Sequence, residues 1–294
     1  MSNEAFGQEA RPEHYLDWVS RGNASPWRYA LVAVLGFFLA VFILPVFFFV
    51  GLVSLTGKAA APDGATEFSF LPGLVAILIL VRLILARPAW SVALPSWRLL
   101  GAGLLIGLVV CLIPPPFLNF HYEGFSGLRS AGGAFILTTL LGLLLQTAAE
   151  EVLFRGLFLQ AALRLTGLVW VAVLIQALVF AWLHIGNLKA WHGNPLGMAP
   201  YLIVALVWGW VAWRTGSLLV PWMLHFTNNA SNVLVFGVKG DVIRSIGPVS
   251  IDPPSIAVGT LVIVMQAVLY IGLVEAYLHW SKRKVAAGAS SGDG

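Results

Sequence analysis

Two adjacent glutamates, Glu150 and Glu151, end a long apolar stretch of this sequence, and Arg155 follows shortly after them. Ionisable side chains at membrane depth are rare and costly, and they usually mark a functional site with a charged partner. In a helix, Glu151 and Arg155 share a face and can pair, whereas Glu150 points about 100° away. One glutamate can thus be neutralised locally while the other acts as a general base on water. A charge cluster at a helix end, reaching the membrane surface, explains this pattern equally well.

Two further apolar stretches carry histidines that could complete such a site. Phe180 and His184 lie one turn apart in F-A-W-L-H, and His225 and Asn229 share a helix face in H-F-T-N-N. A lone histidine at a helix end is usually structural, and histidine and asparagine often supply hydrogen bonds between membrane helices. Together, however, two glutamates, two histidines and an asparagine on three apolar helices are best satisfied in one shared polar cavity. Such a cavity can hold water, and glutamate with histidine can activate that water.

The elements that carry these residues must be membrane-spanning helices. Hydrophobic residues make up 59% of the 294 residues and charged residues only 10%, with a mean hydropathy of +0.87. A soluble domain typically has about 25% charged residues. Only helices or closed barrels satisfy the backbone in lipid, and the continuous apolar stretches favour helices. We therefore predict an all-α polytopic membrane protein whose partner is the lipid bilayer. Its net charge of +4 gives no reason to expect nucleic acid binding.

About eight transmembrane helices are predicted, forming one bundle around an intramembrane polar cavity. Each is near the roughly 20 residues that a bilayer requires, and the spans are 27–55, 69–86, 97–114, 133–150, 168–186, 199–214, 217–237 and 255–280. The fourth is expected to continue as helix past Glu150 to about Leu165. The predicted organisation is a polar cytoplasmic tail at 1–26, N-terminal transmembrane helices at 27–132, a catalytic core at 133–235, a last loop and helix at 236–281, and a flexible tail at 282–294.

An even number of spans places both termini on the same side of the membrane. If that side is the cytoplasm, most of the 17 basic residues lie inside, as the positive-inside rule requires. We therefore expect an integral protein of a bacterial inner membrane with both termini cytoplasmic. Among the remaining ionisable and reactive groups, Glu275 is expected to pair with Lys282 or Arg283 at the membrane surface. The single cysteine, Cys111, is expected to be a small buried hydrophobe.

The three polar motifs resemble those of the CPBP intramembrane protease family, also known as the CAAX protease and bacteriocin-processing, or ABI, family. E-E-V-L-F-R, F-A-W-L-H and H-F-T-N-N match its patterns EExxxR, FxxxH and HxxxN, in that order on successive helices. The resemblance covers residues 133 to 235. It implies an intramembrane endopeptidase, similar to the type II CAAX prenyl endopeptidases, acting on a membrane-associated or lipidated protein or peptide.

The resemblance also implies roles for individual residues. The catalytic set would be Glu150, Glu151, His184, His225 and Asn229, with Arg155 and Phe180 as structural support. Glu150 and His184 would activate the attacking water, while His225 and Asn229 would stabilise the oxyanion or help to bind a metal. The family is often labelled metalloprotease, and Glu150, His184 and His225 form a reasonable zinc set with water as fourth ligand. The helical zincin signature H-E-x-x-H is absent, and a metal-free mechanism is equally coherent.

Two other functions stay open at this point. The first is a noncatalytic membrane immunity or scaffolding protein of the same family. The second is a transporter with a proton-relay carboxylate pair, which would predict paired repeats or broken helices that the sequence does not display. The predicted topology also raises a difficulty, because the fifth span runs outward and carries His184 toward the outer leaflet. The site would then open outward or laterally, whereas prenylated C-termini are cytoplasmic substrates.

Overall fold

The computed structural model describes residues 14–56, 65–93, 96–113, 115–240 and 245–290. Helices dominate these ranges, and a small sheet joins two of the connections between them. The α-helices are α1 (Pro26–Phe38), α2 (Leu44–Thr56), α3 (Ala65–Phe68), α4 (Phe70–Ile84), α5 (Trp97–Cys111), α6 (Ser126–Glu151), α7 (Leu159–Thr166), α8 (Val169–Leu183), α9 (Ala199–Thr215), α10 (Leu219–Leu234) and α11 (Ile256–Ser290). The strands are β1 (Phe120–Tyr122), β2 (Phe236–Val238) and β3 (Val249–Ile251).

Six helical stretches within the described ranges are long and apolar enough to cross a membrane. They are Pro26–Leu55, Thr66–Ile84, Ser126–Thr166, Val169–Lys189, Pro195–Thr215 and Ile256–Lys284. The two other predicted spans contain the shorter helices α5 and α10, of 15 and 16 residues. These two helices pack against each other, and α10 carries the polar residues of the third motif. The predicted all-α polytopic membrane fold is confirmed, with six of the eight predicted spans reaching membrane length.

The helix that carries the glutamate pair continues from α6 through a π-helical turn, Val152–Phe158, into α7. Glu150 and Glu151 are the last residues of α6, and Arg155 lies inside the π-helical turn. Such turns change the helical register and are frequent at functional sites. The helix ends at Thr166 because Gly167 adopts the left-handed conformation, with φ +70°. The predicted continuation past Glu150 to about Leu165 is confirmed.

Two glycines on α5 set the position of α10. A Cβ atom at Gly103 would meet the backbone of Val220 at 2.9 Å, and one at Gly107 would meet the Thr227 Oγ1 at 2.0 Å. Small residues allow membrane helices to approach closely when they are spaced four apart. The G-x-x-x-G pattern therefore serves packing inside the bundle, and it brings α5 against the helix that carries His225.

Replacing Gly107 with alanine is expected to push α10 away from α5 and to lower the melting temperature of the detergent-solubilised protein. Overpacking of this kind typically costs about 1–3 kcal/mol. Gly101 is the matched control, because it lies on the same helix and a Cβ atom there would meet nothing within 4 Å. A Gly107→Ala protein as stable as the Gly101→Ala protein would contradict the packing role.

The small sheet has the order β1-β3-β2, with β1 antiparallel and β2 parallel to β3. It ties the connection before α6 to the connection between α10 and α11. Just beyond β3, Asp252 accepts hydrogen bonds from His121 Nε2 at 2.8 Å and from Lys239 Nζ at 3.0 Å. These two hydrogen bonds hold the pKa of Asp252 below its usual value, and the one from His121 has the larger effect. The sheet and this exposed cluster lie at one end of the helix bundle.

The last helix, α11, differs from the sequence-based expectation in the partner of Glu275 and in the position of its C-terminal end. Glu275 does not pair with Lys282 or Arg283. Its carboxylate instead accepts hydrogen bonds from Nε and Nη2 of Arg214 at 2.6 and 2.8 Å. Arg214 lies in the last turn of α9, and α9 packs against α11, so tertiary packing supplies a nearer partner than the neighbouring turns. The helix also continues to Ser290, beyond residue 281, where the sequence suggests a flexible tail.

The N-terminal segment, residues 14–20, consists of the 3-10 helix Tyr15–Ser20 and its N-cap His14, and it packs onto the bundle. The Tyr15 amide donates to Gly216 O at 3.0 Å, and His14 Nε2 donates to Trp213 O at 2.6 Å. The contacts attach this segment to the turn between α9 and α10. The sequence predicts a polar tail over residues 1–26, whereas Tyr15 is fully buried in the structure. Residues 1–13 of the predicted tail lie outside the described residues.

Candidate active site

The three motifs meet at one cavity. Glu150 from the end of α6, His184 from the end of α8, and His225 and Asn229 from the middle of α10 all line a cavity of about 830 Å³. The indole nitrogen of Trp222 donates to Leu144 O at 3.1 Å and so fixes α10 against α6. Burial of these polar side chains in a lipid-embedded bundle requires partners inside the protein, and the cavity provides them.

Glu151 and Arg155 form a buried ion pair behind the cavity. Arg155 Nη1 donates to Glu151 Oε1 at 3.0 Å, and the two side chains are 0% and 1% exposed, respectively. The guanidinium also lies over the ring of Phe180, 4.7 Å from its centroid, in a cation–π contact. The sequence predicts the pairing of Glu151 with Arg155, and the structure contains it. Phe180, expected as structural support, packs directly on the arginine.

His225 connects this ion pair to the other glutamate. Its Nδ1 donates to Glu151 Oε1 at 2.9 Å, while its Nε2 lies 3.8 Å from Glu150 Oε2. The imidazole also packs on the indole of Trp208, with 4.4 Å between the centroids. A carboxylate at Nδ1 assigns the proton to that nitrogen, so Nε2 is the atom that faces Glu150 and the cavity. Glu151 therefore orients the histidine as well as neutralising the arginine.

Glu150 is the glutamate that faces the cavity. Its side chain is 12% exposed, and Gln146 Nε2, one turn earlier, donates to its Oε1 at 3.1 Å. Oε2 is left for His225 and for a ligand in the cavity. The two adjacent glutamates thus share His225 but otherwise have different partners, Gln146 for Glu150 and Arg155 for Glu151, as their angular separation on the helix predicts.

His184 lies at the C-terminal cap of α8, and its ring is held between two aromatic side chains. Ring centroids are 4.4 Å away at Phe180 and 4.9 Å away at Tyr201. Its Nδ1 donates to Phe180 O at 2.8 Å, which leaves Nε2 as the free nitrogen of the ring. His184 shares the cavity with Glu150 but makes no ion pair with either glutamate.

Asn229 lies one turn after His225 on the same face of α10 and is 9% exposed. Its Oδ1 accepts a hydrogen bond from Asn228 Nδ2 at 3.4 Å. With the oxygen occupied, the Asn229 amide nitrogen is the group with spare donors. Asn229 can therefore direct an N–H donor into the cavity that His225 Nε2 also faces.

The predicted zinc ligands are not assembled as a set. Within the described residues, no group of three or more His, Cys, Asp or Glu side chains has the arrangement of a metal site. His225 Nδ1 is bonded to Glu151 and His184 Nδ1 to a carbonyl, so each histidine offers a single nitrogen. The second nitrogen of each ring stays available to a ligand, and the mechanism proposed for this site uses no metal. Zinc binding stays a prediction.

Several residues of the site are not indicated by the motifs. Gln146 is one turn before Glu150, and this spacing could have indicated from the sequence that its amide contacts the candidate base. Trp208 and Tyr201 lie on α9, a helix with no motif, and they hold the two histidine rings by stacking. Asn187 Nδ2 donates to the Tyr201 hydroxyl at 3.0 Å. Aromatic residues are frequent in membrane helices, so sequence alone could not single out Trp208 and Tyr201.

Comparisons with known proteins find similarity over the segment that carries the three motifs. Residues 132–231 match the model of the family described as type II CAAX prenyl endopeptidase Rce1-like. A relative from Bacillus subtilis (strain 168), named uncharacterized protein YyaK, is 32% identical over 162 residues. That match covers 52% of this chain and 54% of the relative, so the chain spans about half of the relative's length. No solved structure matches the chain. The family resemblance of the three motifs is confirmed over the matched segment.

Proposed function

We propose, from the match of residues 132–231 to the Rce1-like family, that the protein is an intramembrane endopeptidase acting through a glutamate-activated water. The observation that carries this proposal is the position of His225 between the two glutamates. Its Nδ1 is bonded to Glu151 and its Nε2 faces Glu150. A buried ion pair alone needs no such arrangement, whereas a hydrolytic site needs an oriented imidazole beside a base.

The chemistry follows from the free atoms of the site. Glu150 Oε2 takes a proton from a water molecule, which His184 Nε2 helps to hold, and the water oxygen bonds to the peptide carbonyl carbon. The resulting oxyanion accepts a hydrogen bond from the Asn229 amide. Glu150 transfers the water proton to His225 Nε2, so that the ring, with a proton on each nitrogen, donates a second hydrogen bond to the oxyanion and then returns the proton to Glu150. Glu150 passes its proton to the leaving amine as the C–N bond breaks. Glu151 stays bonded to His225 Nδ1 throughout and stabilises the protonated ring.

The cavity is suited to a substrate with apolar and polar parts. Its volume of about 830 Å³ is near the upper end for small-molecule sites, which leaves room for several residues of a peptide. The wall includes Phe70, Ile113 and Leu153 beside the polar groups. We propose a membrane-associated or lipidated protein or peptide as substrate. A noncatalytic immunity or scaffolding protein of the same family is the alternative, and the loss-of-activity variants below distinguish it.

The two ends of α9 indicate on which side of the membrane the proposed substrate would enter. Pro200 and Tyr201 at its start line the cavity, and Gly216 at its end holds the N-terminal segment. The 17 residues of α9 span about 25 Å. The cavity and the N-terminal segment therefore lie at opposite ends of the bundle. With the termini in the cytoplasm, the cavity opens to the outer side, and a substrate there is a protein or peptide of the outer leaflet or the extracellular space.

Cysteine labelling tests this orientation. In a Cys111→Ser background, Lys189→Cys at the cavity rim is expected to react with a membrane-impermeant maleimide in intact cells, since Lys189 is exposed there. Arg98→Cys at the opposite end, also exposed, is expected to react only after the membrane is permeabilised. The reverse pattern would place the cavity on the cytoplasmic side and favour a cytoplasmic prenylated substrate.

Replacing Asn229 with alanine is expected to lower kcat about 10²–10³-fold, because one donor to the oxyanion is lost. KM should change little, since the interaction is made in the transition state. Asn232→Ala is the matched control, as Asn232 lines the same cavity on the same helix without an assigned role. Equal activities of the two variants would remove Asn229 from the mechanism. Loss of activity on chelation with recovery on adding zinc would instead establish the metal version.

A further inference from the structure

Gln266 is a polar side chain within the last membrane-length helix, α11. It lies ten residues after Ile256, where the apolar stretch Ile256–Lys284 begins, which is about 15 Å along the helix axis. Its side-chain amide makes no hydrogen bond with another residue in the described part of the chain. A polar group at this depth is unfavourable without a partner. The amide is therefore stabilised only if a polar group reaches it from the space that it faces.

That space is the active-site cavity. The residues of α11 that line it recur at the helical repeat, and they are Gly259, Val262, Ile263 and Gln266. The opposite face of α11 is apolar and exposed, as Val268 shows at 64% exposure. One turn after Gln266, Tyr270 is buried, and its hydroxyl shares a hydrogen bond with Cys111 Sγ on α5 at 3.2 Å. Gln266 is thus the deepest cavity-lining residue of α11, next to the point where α11 closes onto α5.

Gln266 lies at about the same depth in the bundle as His225. Helix α10 ends at Leu234, nine residues after His225, and α11 begins at Ile256, ten residues before Gln266. Strands β2 and β3, which follow α10 and precede α11, pair with each other. At about 1.5 Å per residue, both side chains are roughly 14–15 Å from the end of the bundle that carries the sheet. Helices α10 and α11 both pack against α5, so Gln266 borders the cavity at the level of the proposed chemistry.

An uncharged amide at this place suits the backbone of a peptide. The glutamine side chain has two N–H donors and a carbonyl acceptor, which complement the C=O and N–H groups of an extended chain. A segment that is cleaved at membrane depth has to leave its helical conformation, and its backbone groups then need partners inside the protein. A charged side chain would select an acidic or basic substrate group instead, and the cavity-lining residues of α11 carry no charge.

We propose that Gln266 is a substrate-binding residue whose amide hydrogen-bonds the backbone of an extended peptide segment lying between α10 and α11. The inference rests on the proposed function, since it takes a peptide as the ligand. It assigns the binding of the chain beside the cleaved bond to α11, while Glu150, His225 and Asn229 perform the chemistry. The contact exists before and during the reaction, so it contributes to binding and not to the rate of turnover.

The test compares Gln266→Leu with Thr260→Val as matched control. Thr260 is a polar residue of the same helix that does not belong to its cavity-lining set. The probe is a library of short, apolar, fluorophore-labelled peptides, and binding is measured to full-length Glu150→Gln protein in detergent, where no probe is cut. Gln266→Leu in this background is expected to weaken binding roughly three- to tenfold, as for the loss of one hydrogen bond, while Thr260→Val leaves it unchanged.

A second arm alters the peptide instead of the protein. Each peptide that binds is also made with single N-methylated backbone amides. At one position, N-methylation should weaken binding to the protein with Gln266 and cause no further loss in Gln266→Leu, which identifies a direct contact. In proteins that retain Glu150, Gln266→Leu should raise KM for the same peptides by a similar factor at unchanged kcat.

The outcomes separate this inference from the proposed function. Equal binding with and without Gln266, or N-methylation effects that are the same in both proteins, would overturn the inference. Peptides that bind through Gln266 but are never cut by the wild type would support it and contradict the proposed protease. Cleavage that does not depend on Gln266 would do the reverse, and a library with neither binding nor cleavage would contradict both.

Discussion

Replacing Glu150 with glutamine is expected to abolish cleavage, with a fall in kcat of about 10²–10⁴-fold, the usual contribution of a general base. The amide keeps the size of the side chain and can still contact Gln146, so the cavity should retain its shape. It cannot accept a proton from water, however, and it cannot return one to the leaving amine. The variant should therefore insert and melt like the wild type while losing turnover.

Glu275→Gln is the control for this substitution. Glu275 is another glutamate in an apolar helix, but it pairs with Arg214 away from the cavity. Removing that partly exposed pair should cost little stability and leave turnover intact. The measurement is cleavage in proteoliposomes at equal protein amounts. Full turnover by the Glu150→Gln protein would exclude Glu150 as the base.

Replacing the adjacent Glu151 with leucine is expected to have a different effect, because it should destabilise the fold. Arg155 is fully buried and has Glu151 as its carboxylate partner. Removing one member of a buried pair typically costs about 3–5 kcal/mol, because the other charge stays buried without compensation. The expected result is a low yield of inserted protein and a strongly lowered melting temperature, both absent from Glu150→Gln.

The double variant Glu151→Leu with Arg155→Leu distinguishes the structural and catalytic effects of Glu151. Removing both charges should restore much of the stability, since apolar replacements of buried ion pairs are often neutral. Activity should stay low, because His225 Nδ1 then has no carboxylate to orient the ring. A stable double variant with wild-type turnover would show that Glu151 only neutralises Arg155. Equal stability of wild type and Glu151→Leu would show that the ion pair is dispensable.

The features that follow from local helical geometry could be predicted from the sequence. Glu151 and Arg155 are one turn apart, so their pairing follows from the helical repeat alone. The same geometry separates Glu150 from Glu151, and the apolar lengths predict the membrane helices. His225 and Asn229 are likewise on one face of α10. In each case the determining contacts lie within a single helix or follow from the apolar length.

Contacts between distant helices could not be predicted in the same way. The bridge from His225 to both glutamates depends on the packing of α10 against α6, which no spacing encodes. Glu275 illustrates the same limit, since it pairs with Arg214 on a neighbouring helix and not with Lys282 or Arg283, the nearest positive charges along the chain. The buried position of Tyr15 is the strongest example. A polar N-terminal stretch predicts exposure, yet hydrogen bonds from the Tyr15 amide to Gly216 O and from the His14 ring to Trp213 O hold this segment against the bundle, with the Tyr15 ring buried.

The most direct test of the central claim is a comparison of membrane proteins from cells that carry either the wild type or Glu150→Gln at equal levels. Peptides are identified by mass spectrometry, and the purified wild type in proteoliposomes is then given each candidate substrate. The account predicts at least one membrane-associated protein whose new terminus occurs with the wild type and is missing with Glu150→Gln, and whose same bond is cut in vitro. Identical sets of termini in both cells, together with no cleavage in vitro, would contradict the proposed protease.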